Sequence, residues 1–600
     1  MPIPYSLNLS ELREGLRSAA LTPTQIARDA LDAASEGDRH HAWIHRIPPE
    51  VVMAHATGVE RDANARTLPL YGVPFAIKDN IDVAAHPTTA ACPAFSYVPD
   101  QSATVVQKLV AAGAMLIGKT NLDQFATGLV GTRSPYGPCS NPFDDRYIAG
   151  GSSSGSALAV ALNLVSFALG TDTAGSGRVP AGFNNIVGLK PTRGVMSTTR
   201  VVPACRTLDC VSIFANTCED AWDVFNVARG HDRSDPYSRH WRPSIHLPAT
   251  GLKCGVPRSS QLDFCGDANA AAMFERGVRL LEHSGANIIE IDFSAFSDTA
   301  ALLYQGPWVA ERLAAIEPFF RTHQTDMFPV TREITAGGSR YSAVEAFEAA
   351  YRLQGLKQRA LDEFANIDLM AVPTAPTIYT LEQIQADPIT LNSKLGLYTN
   401  FVNLLDLAAI AVPVGMRKDG LPSGLTLIGP AFSEPMLCSL GAKLHRSSGV
   451  KLGATEFALP AATTEFQDSS GNAHITIAVV GAHLTGMPLN HQLTSRGARL
   501  IGPARTAARY RLYVLENTTP AKPGLVRSSE LSGHAIDVEL WRMPVEGMGL
   551  FMADIPPPLA IGSIELEDGR KVHGFVCESY AIAGARDISA FGGWRKFMSA

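Results

Sequence analysis

The chain has 600 residues, 46% hydrophobic and 18% charged, with a formal net charge of −6. That length exceeds what one compact core fills, so several domains are expected, while mild acidity without any block of Lys and Arg excludes a general nucleic-acid binder. Nine scattered cysteines do not resemble a disulfide framework, and no run approaches the roughly 18 apolar residues of a membrane span, so the reading is a cytoplasmic protein with no membrane partner.

The start, MPIPYSLNLSELREG, lacks the basic and apolar regions of a secretory signal. Thr22-Pro23-Thr24-Gln25 combines an N-cap, a first-turn proline and a capping-box glutamine, and predicts a helix through IARDALDAA. HAWIH carries His41 and His45 four apart but no cysteine nearby, so no metal is expected there. From about Leu68, apolar runs (VPFAI, AMLIG, SFALG, DLMAVP) alternate with helical stretches (SATVVQKLVAA, SALAVALNLV), which predicts an α/β sheet of mixed strand direction flanked by helices. Within it, GAMLIGKT (113–120) satisfies the phosphate-loop pattern. Its interior is apolar and reads as a buried strand with Gly113 before it and Gly118 after, which offers no cradle of backbone N–H groups. Residues 454–472 lose periodicity and read as a linker. Beyond them HITIAVVGAHL, RYRLYVL, AIDVELWRM and GSIELEDGRKVHGFVCE predict a small β-rich domain over 473–600, following a first domain over 1–453.

Between Ile148 and Ala181 two serine-glycine loops flank a helix and an apolar run: GGSSSG and TDTAGS. Glycines let backbone N–H groups approach a small ligand and face a developing oxyanion. Either loop alone could be a flexible turn or an anion-holding helix start. Together with VPFAIKDN upstream, the set resembles the amidase signature family. That resemblance implies a Ser-cisSer-Lys triad of Ser176, Ser152 and Lys78, with Thr173, Ala174 and Gly175 lining the oxyanion hole. The residue types suit the chemistry, since a serine hydroxyl needs a base and a lysine becomes one when desolvation keeps it neutral.

Further along, Gly306-Pro307 predicts a break between two helices, with Tyr304 at the break and Trp308 and Arg312 on one face. Arg312 could bind a small carboxylate or pair with a neighbouring Glu. With NLDQFATGLVGTRSPYG and AGSGRVPA, where Gly177 replaces the family's usual hydrophobic residue, the segment resembles the allophanate hydrolases of the family, in which Tyr and Arg hold the substrate's carboxylate end. VVGAHLTGMPLNHQL and FGGWRKFM resemble their extra domain, which is like γ-glutamyl cyclotransferases and offers His483 and His491 as candidates for a decarboxylation step. The resemblance implies hydrolysis of allophanate through N-carboxycarbamate, with no cofactor or metal. It also implies a link to a separate biotin-dependent urea carboxylase, or to a cyanuric acid and biuret pathway, and is compatible with a homodimer. Another small-amide amidase or a glutaminase-type subunit is the alternative.

Overall fold

The computed structural model describes all residues except 1–2, 37, 243–250, 462–465, 467–473, 517 and 529–532. Two compact units divide the chain, Met1–Phe466 and Gln467–Ala600. Of the stretch read as a linker, 462–465 and 467–472 lie outside the described residues. Before them Ala454 N–H donates to Ala161 O, and the Phe466 ring lies against Trp222, so these residues belong to the first unit's packing.

The first unit is built on eleven strands: β1 Trp43–Arg46, β2 Pro74–Lys78, β3 Met115–Thr120, β4 Phe167–Asp172, β5 Val187–Lys190, β6 Cys210–Ala215, β7 Lys253–Pro257, β8 Asn287–Ile291, β9 Leu369–Pro373, β10 Leu407–Met416 and β11 Pro422–Pro430. They form one sheet in the order β1-β3-β2-β4-β6-β5-β10-β11-β9-β7-β8. β2 runs parallel to both β3 and β4, whereas β4 pairs antiparallel with β6, so the sheet is mixed. Strands β2, β3, β4 and β6 are buried at every residue, which is why they read as continuous apolar runs rather than alternating ones. The parallel pair β2 and β4 ends at the same sheet margin, and Lys78 and Asp172 are their last residues.

Local signals explain the flanking helices. Thr22 caps Pro23–Ser35 by accepting from Gln25 N, and Gly306 and Pro307 separate Ser294–Gln305 from Trp308–His323. The helix Ser154–Ala161 is buried on every side, as its small and apolar residues allow. The GAMLIGKT segment is strand β3, which continues through Gly118 to Thr120 instead of stopping before the glycine. A side chain at 118 would meet the Trp43 ring at 2.8 Å. Lys119 is fully buried and ion-paired with Asp79 at 3.0 Å, so its ammonium has an internal partner and faces no phosphate cradle.

The second unit has its own core around a five-stranded sheet, ordered Arg499–Arg505, Asp537–Pro544, His474–Val479, Lys571–Cys577, Leu559–Glu565, and a separate hairpin of Tyr510–Leu515 with Lys522–Arg527. No helix among the described residues is long and apolar enough to cross a membrane.

Candidate active site

Lys78, at the end of β2, is completely buried, and its Nζ lies 2.8 Å from Ser152 Oγ, 3.0 Å from Ser153 Oγ and 2.8 Å from Thr171 Oγ1. All three partners are neutral hydroxyls. Burial therefore dominates and lowers the lysine pKa to about 7, although the more distant Asp123, Asp209 and Asp172 pull it upward. The surroundings narrow which hydroxyl can give a proton to a neutral amine. Ser153 Oγ already donates to Thr171 O at 3.1 Å, whereas Thr171 Oγ1 accepts from Nζ and, at 3.4 Å, from Asn80 Nδ2. Ser152 Oγ has no other partner among the described residues, so its O–H, like that of Thr171, is uncommitted and can donate to Nζ. The Gly151–Ser152 peptide bond is cis.

Ser176 sits in the loop after β4, only 2% exposed, and its Oγ has no hydrogen-bond partner among the described residues. The loop is held by the buried carboxylate of Asp172. It accepts from Gly175 N at 2.9 Å and Gly177 N at 3.0 Å, and takes both Nε and Nη2 of Arg178 at 2.9 Å. Burial opposes ionisation of Asp172, but the bidentate guanidinium and the backbone donors hold its pKa below the ordinary carboxylate value. The Gly175 N–H is thereby committed to Asp172, while the N–H groups of Thr173, Ala174 and Ser176 have no acceptor among the described residues. For Gly175 the expectation of a free oxyanion donor is corrected accordingly: its contribution is conformational, at φ +131°, where an added Cβ would lie 2.4 Å from Thr399 Oγ1. Gly177 is likewise constrained by space, since its Cβ would meet Ser212 Cβ at 2.6 Å, which accounts for the absent hydrophobic side chain there. Gly175→Ala is expected to destabilise the first unit by about 1–3 kcal/mol, through the strained φ together with the clash. A thermal midpoint equal to that of the unsubstituted chain would show that the loop adapts.

Thr173 is anchored through its side chain, Oγ1 donating to Asp209 Oδ1 at 2.5 Å. Asp209 is buried, which raises its pKa, and it also accepts from Ala204 N and Cys205 N. Neither Asp209 nor Thr171 stands out in the sequence, because each acts through a fold-dependent neighbour.

The helix break brings Tyr304 and Arg312 together: Arg312 Nη2 donates to Tyr304 Oη at 3.3 Å and its guanidinium lies 5.3 Å from the ring centre. Tyr304 and Trp308 pack in one apolar cluster with Ala174 of the Ser176 loop. Arg312 is 3% exposed, yet its other contacts are long and neutral, 3.2 Å to Thr127 Oγ1 and 3.4 Å to Ala126 O, and its Nε has no partner. No carboxylate among the described residues pairs with it. Neighbouring Glu311 instead accepts from Thr207 at 2.7 and 2.8 Å, and Glu317 pairs with Arg321.

In the second unit His483 and His491 stand apart. His483 lines a cavity of about 220 Å³ with Gln492, Lys522 and Asp554, stacks on Phe575, and donates from Nε2 to Gln492 Oε1 at 2.9 Å. Burial lowers its pKa, which favours the neutral ring. His491 is exposed, with Nδ1 donating to Pro488 O at 2.9 Å, and is absent from the cavity lining.

A buried lysine amine beside serine hydroxyls, on a mixed sheet flanked by helices, defines the class. Residues 25–438 match the family model described as Amidase, and the chain belongs to the amidase family. Residues 475–599 match a second model, the allophanate hydrolase C-terminal domain. The chain is 41% identical over 605 residues to the urea amidolyase of Saccharomyces cerevisiae, covering 97% of this chain and 32% of that one. It thus spans about a third of the length of that relative. The structure of Kluyveromyces lactis allophanate hydrolase superposes with a TM-score of 0.83 at 39% identity, covering 100% of both chains. A glutamyl-tRNA(Gln) amidotransferase subunit from Zymomonas mobilis is 31% identical over 480 residues, 74% of this chain and 97% of that one.

Proposed function

We propose that the chain hydrolyses allophanate, urea-1-carboxylate, with Ser176 as nucleophile, Ser152 as relay and Lys78 as base. The observation that carries the substrate assignment is Arg312: a buried guanidinium with no ion pair among the described residues, beside Tyr304 and in the neighbourhood of the Ser176 loop. A buried cation left unpaired is costly, and a substrate carboxylate supplies the missing partner in a bidentate fit. The same arrangement gives a neutral amide nothing to offset that cost. Relatives support the reading, namely the Kluyveromyces lactis allophanate hydrolase and the match of the second unit to the C-terminal domain of such enzymes.

In the proposed reaction Ser176 Oγ attacks the terminal amide carbonyl, and its proton passes through Ser152 to the neutral Lys78 amine. The oxyanion forms beside the N–H groups of Thr173 and Ala174, in a loop fixed by Asp172, Arg178 and Asp209. Ammonia leaves with a proton returned from the lysine, and water then releases N-carboxycarbamate from Ser176. That product loses carbon dioxide, with the second unit assisting through the cavity that His483 lines. A urea carboxylase, or a route through biuret, would supply the substrate.

Ammonia release from a panel of allophanate, biuret, malonamide and glutamine tests the assignment. Allophanate is expected to be turned over fastest by kcat/KM; glutamine in first place would favour the glutaminase-type alternative. The pH profile tests the base. Lysine is catalytically competent only when deprotonated, so the rate is expected to rise with pH through a group titrating near 7, far below a free lysine. Lys78→Ala should abolish that limb, and an unchanged profile in the variant would assign the titration to another group.

A further inference from the structure

Arg133 is a second buried guanidinium that no carboxylate pairs with among the described residues, Asp123 acting on it only at longer range. Its Nη1 donates to Thr127 O at 2.8 Å and its Nη2 to Pro388 O at 2.6 Å, while Nε has no partner. Both acceptors are backbone carbonyls, and it has no ion pair among the described residues. The segment that Arg133 spans is strained: Phe125 and Ala126 both lie in the left-handed region, at φ 51° and 52°. Non-glycine residues there are held only where the surroundings over-determine them. Here the turn is closed by Gln124 N–H donating to Arg133 O at 2.7 Å and by Arg133 N–H donating to Asp123 Oδ1 at 2.9 Å. The Arg133 side chain then returns across the loop to the carbonyl of Thr127.

Thr127 is therefore gripped from two sides, its carbonyl by Arg133 and its hydroxyl by Arg312, and the preceding Ala126 carbonyl also receives Arg312. These two neutral acceptors and Tyr304 are the only polar groups orienting Arg312 among the described residues. We infer that Arg133 is a positioning residue for recognition of the substrate carboxylate: it locks the left-handed turn whose Ala126 carbonyl and Thr127 hydroxyl aim the Arg312 guanidinium. It selects anionic amides through Arg312 without touching them. The inference rests on the reading of Arg312 as the carboxylate-binding group.

The test uses the full chain, with allophanate and its isosteric neutral counterpart biuret. Arg133→Gln is expected to raise KM for allophanate about 10- to 100-fold, with kcat changed less than about threefold and kcat/KM for biuret lowered less than about threefold. Arg133→Lys should recover only part of the loss, because one ammonium does not reproduce the planar fork that spans two carbonyls. The decisive measurement is the double variant. If Arg133 acts through Arg312, adding Arg133→Gln to Arg312→Ala costs allophanate less than about a further threefold; full multiplication of the two losses overturns the inference. Equal losses on allophanate and biuret in Arg133→Gln also overturn it, even when Arg312→Ala is selective. If Arg312→Ala itself slows both substrates equally, the reading of Arg312 falls and the inference with it. Should Arg133→Gln fail to fold, Thr127→Val takes its place, since it keeps the carbonyl that Arg133 holds and removes the hydroxyl that accepts from Arg312 and donates to Phe125 O at 3.2 Å. The same allophanate-selective rise in KM is expected, and a loss shared with biuret counts against the proposal.

Discussion

Ser176→Ala is expected to lower ammonia release from allophanate by on the order of 10⁴-fold or more, while the chain keeps its fold and its thermal midpoint. The loss is that large because the neighbouring serine hydroxyls are turned to the lysine instead. Ser152 and Ser153 both have their Oγ on Lys78 Nζ. The fold is spared because Ser176 Oγ contributes no hydrogen bond among the described residues. The loop is held instead by Asp172 through the Gly175 and Gly177 N–H groups and Arg178. Ammonia release and a thermal melt on the same preparation separate the two effects. Activity above about a tenth of the unsubstituted chain would remove Ser176 from the nucleophile's role. A collapsed melting transition would mean that the hydroxyl supports the loop in a way its contacts do not indicate.

How much of this was legible beforehand depends on whether a residue's role is written in its local neighbours. The strands β2, β3, β4 and β9 were legible because burial on both faces leaves uninterrupted apolar text, and the helix break at Gly306-Pro307 because proline and glycine act within their own turn. Lys78, Ser152 and Ser176 were visible as residue types in three motifs, and the structure places Lys78 on Ser152 at 2.8 Å. The local environment of that lysine was not visible. Thr171 opens TDTAGS with nothing to mark its role, and only the parallel register of β2 with β4 brings its hydroxyl to Nζ. Commitment of the Gly175 N–H to Asp172 was equally hidden, because the turn that folds 175 back onto 172 is set by Arg178 and by the close approach of Thr399. Arg133 is the extreme case: its anchor, Pro388, lies 255 positions away in the chain. Periodicity reports which face of an element is buried. It carries nothing about which distant carbonyl a buried arginine will reach.

Arg312→Ala is expected to lower kcat/KM for allophanate by roughly 30- to 1000-fold, the equivalent of about 2–4 kcal/mol. The magnitude follows from the size of the substrate and the state of the arginine. Allophanate offers few contacts, so one charge-assisted bidentate pair is a large share of its binding. Among the described residues the guanidinium has hydrogen bonds of 3.2–3.4 Å to Thr127, Ala126 and Tyr304 and no ion pair, so a substrate carboxylate would add the one direct acidic partner. A lysine at 312 would restore the charge without the planar fork and should recover only part of the loss. Tyr304→Phe removes a single hydrogen-bonding hydroxyl and should cost less than Arg312→Ala. Biuret has a carboxamide where allophanate has a carboxylate, so it should be a poor substrate of the unsubstituted chain and lose far less in the variant. The comparison also controls for structural damage, because a misplaced helix Trp308–His323 would disturb Trp308 and its cluster with Ala174 and slow both substrates alike. Parallel loss on allophanate and biuret would therefore make Arg312 a packing residue, and the preference for an anionic amide would have to be sought elsewhere in the site.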